Sequence, residues 1–408
     1  MLPVLFSLYQ HVSCPTIVCQ KYLDANASLE KMVVVAQPVV YQSPITITQG
    51  GTYSGNWQSL DPDVPAVTIK TSEPVIIENS RLRGRGDLIK APNTVDHIKL
   101  TVRNTYGYGL NPNKYGRIPG RFLAADLIDN IVVENCYMEN TSGIYLFGYE
   151  GNGSANHSVR IRYNKASNID GRKSDGKGGF INEFDWAQFV QLNQVRHVPG
   201  VEIAWNEVIN EPYKSRVEDN ISIYLSSGTS SSPILIHDNY IQGGYSANPA
   251  KHKYTGGGIM LGDGSSTTDS GAAAFVRAYN NQVIGTTNYG IAIAAGHDIE
   301  FYNNRIISSG LLPDGTRPVA QNVGAYIWDL YGDISKGTFY NNFAHDNTIG
   351  WVRADGTRKN IWFPDCASGK CTNNTTLPDP ITLDTEKAEF QTWLNKVASN
   401  KVVIGPDF

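Results

Sequence analysis

The chain has 408 residues, 41% of them hydrophobic, so it can bury a large core, and its 39 glycines and 22 tyrosines favour turns and strands over helices. Its 34 Lys and Arg against 38 Asp and Glu leave a net charge of -4, which excludes a global electrostatic attraction to nucleic acid. No run of about 18 apolar residues occurs, which excludes a membrane-spanning helix.

The first stretch, "MLPVLFSLYQHVSCPTIVCQ", is apolar in patches but lacks a basic leader, and "MVVVAQPVV" is short. Either is readable as the remnant of a secretion signal, so a secreted or periplasmic location is expected, with residues 1–49 forming an N-terminal segment and cap. There are five cysteines. Cys14 with Cys19 and Cys366 with Cys371 are candidate pairs in an oxidising compartment, whereas Cys136 lies in a strand pattern and is assigned to the core. No CxxC or Cys/His quartet accompanies them, which argues against a zinc site.

From residue 75 onwards one pattern recurs: alternating apolar residues, then Asn, then another strand. It runs through "VIIENSRL", "KLTVRNTY", "IVVENCYM", "VRIRYNKA", "VEIAWNEV", "LIHDNYI", "VRAYNNQVI", "IEFYNNRII" and "GTFYNNFA". The shared residues are Asn79, Asn104, Asn135, Asn164, Asn206, Asn239, Asn281, Asn304 and Asn342. They average about 33 residues apart, and the shortest interval is enough for one circuit of two or three short strands and their turns. A second strand type follows later in most units, as in "GIYLFG" from Gly143, "ISIYLSSG" from Ile221, "GGIMLGDG" from Gly257, "GIAIAAG" from Gly290 and "GAYIWDL" from Gly324. Stacked circuits form a solenoid in which each turn buries its apolar side only against its neighbours. The recurrent Asn can sit at a bend and bond to the same amide about 4.8 Å along the stack.

These units resemble the single-stranded right-handed parallel β-helix of the pectate lyase-like superfamily, which includes polysaccharide lyases, uronan epimerases and several glycoside hydrolases. The resemblance implies an all-β, right-handed parallel β-helix solenoid over residues 50–363. The end of the chain reads as residues 364–408 forming a loop and a short helix. In "DTEKAEFQTWLNKVAS", Phe390, Trp393, Leu394 and Val397 fall at helical spacing, and the expectation is that this helix closes the C-terminal end.

Long insertions recur at one phase, between the strand after the Asn and the Gly-initiated strand. They are "DGRKSDGKGGFINEFD", "EPYKSRVED", "GGYSANPAKHKYTGG" and "SGLLPDGTRPVAQN". Insertions in a solenoid project from one face, which suits a binding groove. Their cations, Arg172, Lys173, Lys177, Lys214, Arg216, Lys251, Lys253 and Arg317, together with His252, suggest an acidic polysaccharide as partner. The outward residues of the Gly-initiated strands, among them Tyr145, Ser222, Tyr224, Met260, Tyr326 and Trp328, would make a floor on which sugar rings stack.

Removing the C5 proton of a uronate needs a cation on the carboxylate and a base, and Lys, Arg, His and Tyr can divide those roles. Lys214, Arg216, His252, Lys253, Tyr254 and Tyr224 are therefore the catalytic candidates. Arg172, Lys173, Lys177, Tyr145, Tyr213, Lys251, Arg317 and Trp328 are the substrate-binding ones. The expected function is β-elimination on an alginate- or pectate-like polyuronate. The alternatives are a glycoside hydrolase, a uronan C5-epimerase or a non-catalytic polysaccharide-binding solenoid. A hydrolase needs two carboxylates, for which Glu183, Asp185, Glu218, Asp219 and Asp263 are available. No cofactor is strictly required, although Ca²⁺ could bind through Glu183, Asp185 and Asp219. The expected protein is a monomer, with no nucleic-acid or membrane partner.

Overall fold

The computed structural model describes residues 38–408 apart from 155–157, 253–255 and 320–321. Among these, 29 strands form one sheet that winds into a parallel β-helix, and a two-stranded hairpin, Arg172–Ser174 with Phe180–Phe184, projects from it. Each circuit contributes to three stacks of strands. Sheet A precedes the corner that carries the recurrent asparagine, sheet B follows it, and sheet C holds the Gly-initiated strands.

Inward alternation builds the core. In sheet A, Val102, Val133, Ile161, Ile203, Ile236, Ala278, Phe301 and Ala344 lie one above another in register. In sheet C the corresponding column includes Val67, Ile89, Leu123, Ile144, Val190, Ile221, Ile259 and Ile291. All of these are fully buried. No circuit could bury such a face alone, so the rungs fold as a mutually dependent stack. The stack runs from Ile45–Ile47 to Thr375–Thr376, past both residue 50 and residue 363.

The asparagine column exists, with a corrected membership. Asn164, Asn206, Asn239, Asn281 and Asn304 form an inward ladder, each amide donating at 2.9 Å to the side-chain carbonyl of the next. The ladder continues through Asn347 and Asn374, so Asn342 is not a member. Asn79, Asn104 and Asn135 are one position early. They occupy the left-handed corner itself, at φ of 47°, 45° and 50°, and the inward residues beneath them are Ser80, Thr105 and Cys136. In the later rungs other residues take that strained corner, such as Tyr163 and Asp238. An asparagine tolerates the left-handed region and also bridges amides, so the same letter serves two adjacent positions.

The C-terminal helix, Leu383–Ser399, begins at a Thr382 capping box. It does not close the end of the stack. It lies along the outside of sheet B and runs back towards the N-terminus. Glu386 bonds to Ser309, Glu389 to Arg305 and Gln282, and Trp393 to Glu207. Beyond the helix, Asn135 donates to Val403 and Tyr106 to Phe408. Sheet B presents an outward apolar strip of Trp205, Ile209, Tyr240, Ile284 and Ile307, which the Phe390, Trp393 and Val397 stripe covers. A 17-residue helix is about 25 Å long, or roughly five rungs, so it matches the flank of the stack better than its cross-section. At the end of the stack, Phe363 and the Cys366–Cys371 disulfide pack against the core, the Phe363 ring 6.1 Å from that of Phe301. Cys14 and Cys19 lie outside the described residues. No helix among the described residues is long and apolar enough to cross a membrane.

Candidate active site

The insertions do leave the stack at the corner between sheets B and C, as their phase indicates. A second row of loops leaves at the corner between sheets C and A, including residues 264–273 and 328–342. Between the two rows, on the outer face of sheet C, lies a cleft of about 730 Å³. Its floor follows one transverse row of the sheet, Gln191, Ser222, Met260, Ala292 and Tyr326, in which each residue is the register partner of the next. Met260 and Ala292 pack with Tyr289, Ala294 and Val323 in an apolar cluster separate from the main core.

Carboxylates dominate the chemistry. Asp185, Glu218, Asp219 and Asp263 line the cleft, and Arg121 is the one cation among the described lining residues. Asp219 is 6% exposed, at the first position of its sheet C strand. Its Oδ1 accepts a hydrogen bond from the Tyr289 hydroxyl. Burial, reinforced by the neighbouring charge of Glu218, pushes the Asp219 carboxyl well above the usual carboxylate range; Asp263 adds in the same direction. The same burial raises the Tyr289 phenol. Asp219 is therefore protonated where ordinary carboxylates are not.

Asp263 stands at the other end of the floor. A register irregularity between Ser222 and Tyr224 sets it opposite Tyr224, the kind of local bulge that re-aims a side chain. Tyr331 donates to its Oδ1 at 2.6 Å and the Gly264 backbone amide at 2.8 Å. Glu218 is committed differently, accepting at 2.6 Å from the Arg216 guanidinium.

Of the candidate residues, the fold brings Tyr145, Ser222, Tyr224, Met260 and Tyr326 to the cleft, with the acids Asp185, Glu218, Asp219 and Asp263. Arg216 is buried behind the wall, bonded to Glu218 and the Asp185 carbonyl and stacked 3.8 Å from the Phe184 ring. Lys214 is exposed and paired with Glu211. Arg172 is held by Asp170 and by the carbonyls of Tyr213 and Lys214, and Lys173 lies 3.7 Å from Glu183. Lys177, Tyr213, Lys251 and Arg317 are exposed outside the cleft lining, and His252 is half-buried, also outside it. Trp328 stands beyond the lining, against Tyr326 and Trp362. Lys253 and Tyr254 lie outside the described residues.

No group of three acids, histidines or cysteines among the described residues is placed to hold a metal ion. Glu183, exposed and near Lys173, does not join Asp185 and Asp219 in such a group.

Arg121, Tyr289 and Tyr331 were not legible as site residues. Tyr289 shares parity with the inward Ile291 and Ile293, so alternation assigns it to the core. Arg121 sits in a loop without a motif, where the carbonyls of Ser142 and Trp186 fix its guanidinium. Asp219, in "RVEDN", and Asp263, in "LGDG", were legible as two of five candidate carboxylates, but not as the pair that the stacked rungs bring to one cleft.

No protein-family model matches the chain, and no curated protein sequence matches it. Among solved structures, it is similar to a mannuronic acid specific polysaccharide family 6 lyase enzyme from human gut microbiota. The identity is 12% and the TM-score 0.39, over 90% of each chain.

Proposed function

We propose that the chain is a carbohydrate-active enzyme that cleaves a polysaccharide in the sheet C cleft by hydrolysis, with Asp219 as proton donor. The observation that carries this reading is the buried Asp219 carboxyl, bonded to Tyr289 and with its pKa raised by burial and by Glu218, at one end of a cleft with Asp263 at the other. Glycosidic hydrolysis needs one protonated and one ionised carboxyl group. Asp219 gives its proton to the leaving glycosidic oxygen as the bond to the anomeric carbon breaks. A water adds to that carbon and loses its proton to Asp263. Tyr289 and Tyr331 hold the two carboxyl groups in place.

Elimination is the second reading, and Arg121 favours it, because a guanidinium 5.3 Å from the Tyr145 ring could neutralise a uronate carboxylate. Two features weigh against it. Asp185 and Asp263, with Glu218 already paired to Arg216, leave the cleft poor in free cations for a polyanion. Tyr145, the phenol nearest that cation, has its pKa raised, first by burial and then by Asp126, so it is a poor base. The Cys366–Cys371 bridge supports an oxidising, exported setting.

The test is a panel of neutral and acidic polysaccharides. New reducing ends without the ultraviolet absorbance of an unsaturated uronide, lost in Asp219→Asn, are expected. Growth of that absorbance on alginate or pectate would replace hydrolysis with elimination.

A further inference from the structure

We propose that Tyr326, Trp328 and Trp362 form an aromatic platform that binds sugar rings of the same polysaccharide beyond the cleft, towards the C-terminal end of the stack. This rests on the reading of the cleft as a polysaccharide site. The transverse row that makes the cleft floor does not stop at Tyr326, whose register partner on the next rung is Trp362. Tyr326 thus belongs to both the cleft and the platform. Among the described residues no further sheet C strand pairs with Ile361–Trp362, and these two residues are 48% and 38% exposed.

The ring geometry distinguishes this cluster from the stacked aromatic column on the flank of the β-helix. On sheet A, His237, Tyr279, Tyr302 and His345 stack at 4.8 to 5.2 Å with interplanar angles of 7°, 9° and 2°. Those rings cover one another's faces, which leaves a sugar mainly their edges. The platform is built obliquely. Trp328 and Trp362 lie 5.0 Å apart at 43°, and Tyr326 meets Trp328 at 66°. Rings inclined in this way make a dish whose faces are not mutually occluded, the surface on which a pyranose C–H face packs.

The Lys359 ammonium lies over the Trp362 ring, 5.3 Å from its centroid, where it covers part of one face and offers donors to sugar hydroxyls beside the rings. Successive rungs are about 4.8 Å apart, close to the length of one sugar in an extended chain, so aromatic rings on neighbouring rungs can engage neighbouring residues of one polymer. The ligand class is a polysaccharide of pyranose rings with an apolar face, running along the stack and longer than the cleft.

The experiment uses the full chain in two assays: retardation in gels containing polysaccharide, and steady-state cleavage of a polymer against a short oligosaccharide of the same sugar. In Trp328→Ala/Trp362→Ala, KM for the polymer is expected to rise on the order of tenfold, with kcat on the short substrate unchanged. Retardation should be lost, and Trp362→Phe should retain most of it. Retardation and polymer KM unchanged in the double variant would overturn the platform and leave the cleft reading standing. A wild-type chain neither cleaving nor retarded by any polymer would overturn the cleft reading, and the platform with it. Equal thermal midpoints for wild type and variants separate lost binding from lost folding.

Discussion

Tyr289 donates its hydroxyl hydrogen to Asp219 across two rungs of sheet C, over Gly257, which occupies the rung between them. The contact depends on the missing side chain. A Cβ at Gly257 would lie 2.4 Å from Asp219 Oδ1 and 2.4 Å from Tyr289 Cζ.

Gly257→Ala should therefore separate the pair. The expected cost is about 1 to 3 kcal/mol of stability from overpacking, together with most of the cleavage activity. Urea denaturation and a reducing-end assay check both, and wild-type values in both would show that the contact is dispensable.

Asp219→Asn should abolish activity while stabilising the protein at neutral pH. The folded pKa of Asp219 lies above its unfolded value. As pH rises past the ordinary carboxylate range the unfolded chain releases a proton that the native state keeps, so wild-type stability falls until the folded pKa is passed. The amide removes that penalty and can still accept from Tyr289. Denaturation midpoints of the two proteins should diverge with rising pH and converge in acid. Wild-type activity should likewise decline as pH climbs through the Asp219 pKa.

His237 should impose a second pH dependence, of its own window. Burial alone would lower its pKa, but hydrogen bonds to Asp238 and Glu202 outweigh burial and raise it to about 8. Tyr279 stacks on its ring, and Lys396 pairs with Asp238. A raised histidine contributes its full stabilisation below its ordinary value near 6.5 and loses it as pH passes 8. That loss is about 1 to 2 kcal/mol. Chemical denaturation across this range should show the slope in wild type and a flatter profile in His237→Gln.

The inner ladder and the outer corners should respond differently to the same substitution. Asn239→Ala removes the acceptor for both the Asn206 backbone amide and its side-chain amide, which are buried. About 2 to 4 kcal/mol is expected, because both donors are left unsatisfied. Asn79 is exposed, and Asn79→Ala should cost about 1 kcal/mol, set by its φ of 47°. Equal losses in urea titrations would contradict the two assignments.

Much of the architecture was legible because it is written in local periodicity. Inward Val159 and Ile161 alternate with outward Arg160 and Arg162 within one strand, and a bend must follow each strand before the next begins. The insertions could be phased for the same reason. The cations they carry could not be followed to their destinations. Arg216 turns away from the groove because Glu218, the Asp185 carbonyl and Phe184 surround it, and the last two partners belong to another insertion. Long charged side chains settle on whatever partners the folded loops supply, and one strand's pattern does not name them.

The tetrapeptide Phe-Tyr-Asn-Asn separates what the sequence by itself determined from what only the tertiary structure decided. At residues 301–304 it finishes a sheet A strand and places Asn304 in the ladder; at 339–342 it precedes the strand Phe343–His345, and the ladder residue is Asn347. Both copies specify a strand-and-corner circuit, since alternation and the left-handed tolerance of Asn are properties of a few consecutive residues. Which corner each copy occupies depends on the rung beneath it: Tyr302 lies against His345, and Tyr340 against His297. The helix along sheet B and the Asp219–Tyr289 contact over Gly257 were likewise decided by surfaces that exist only once the rungs are stacked.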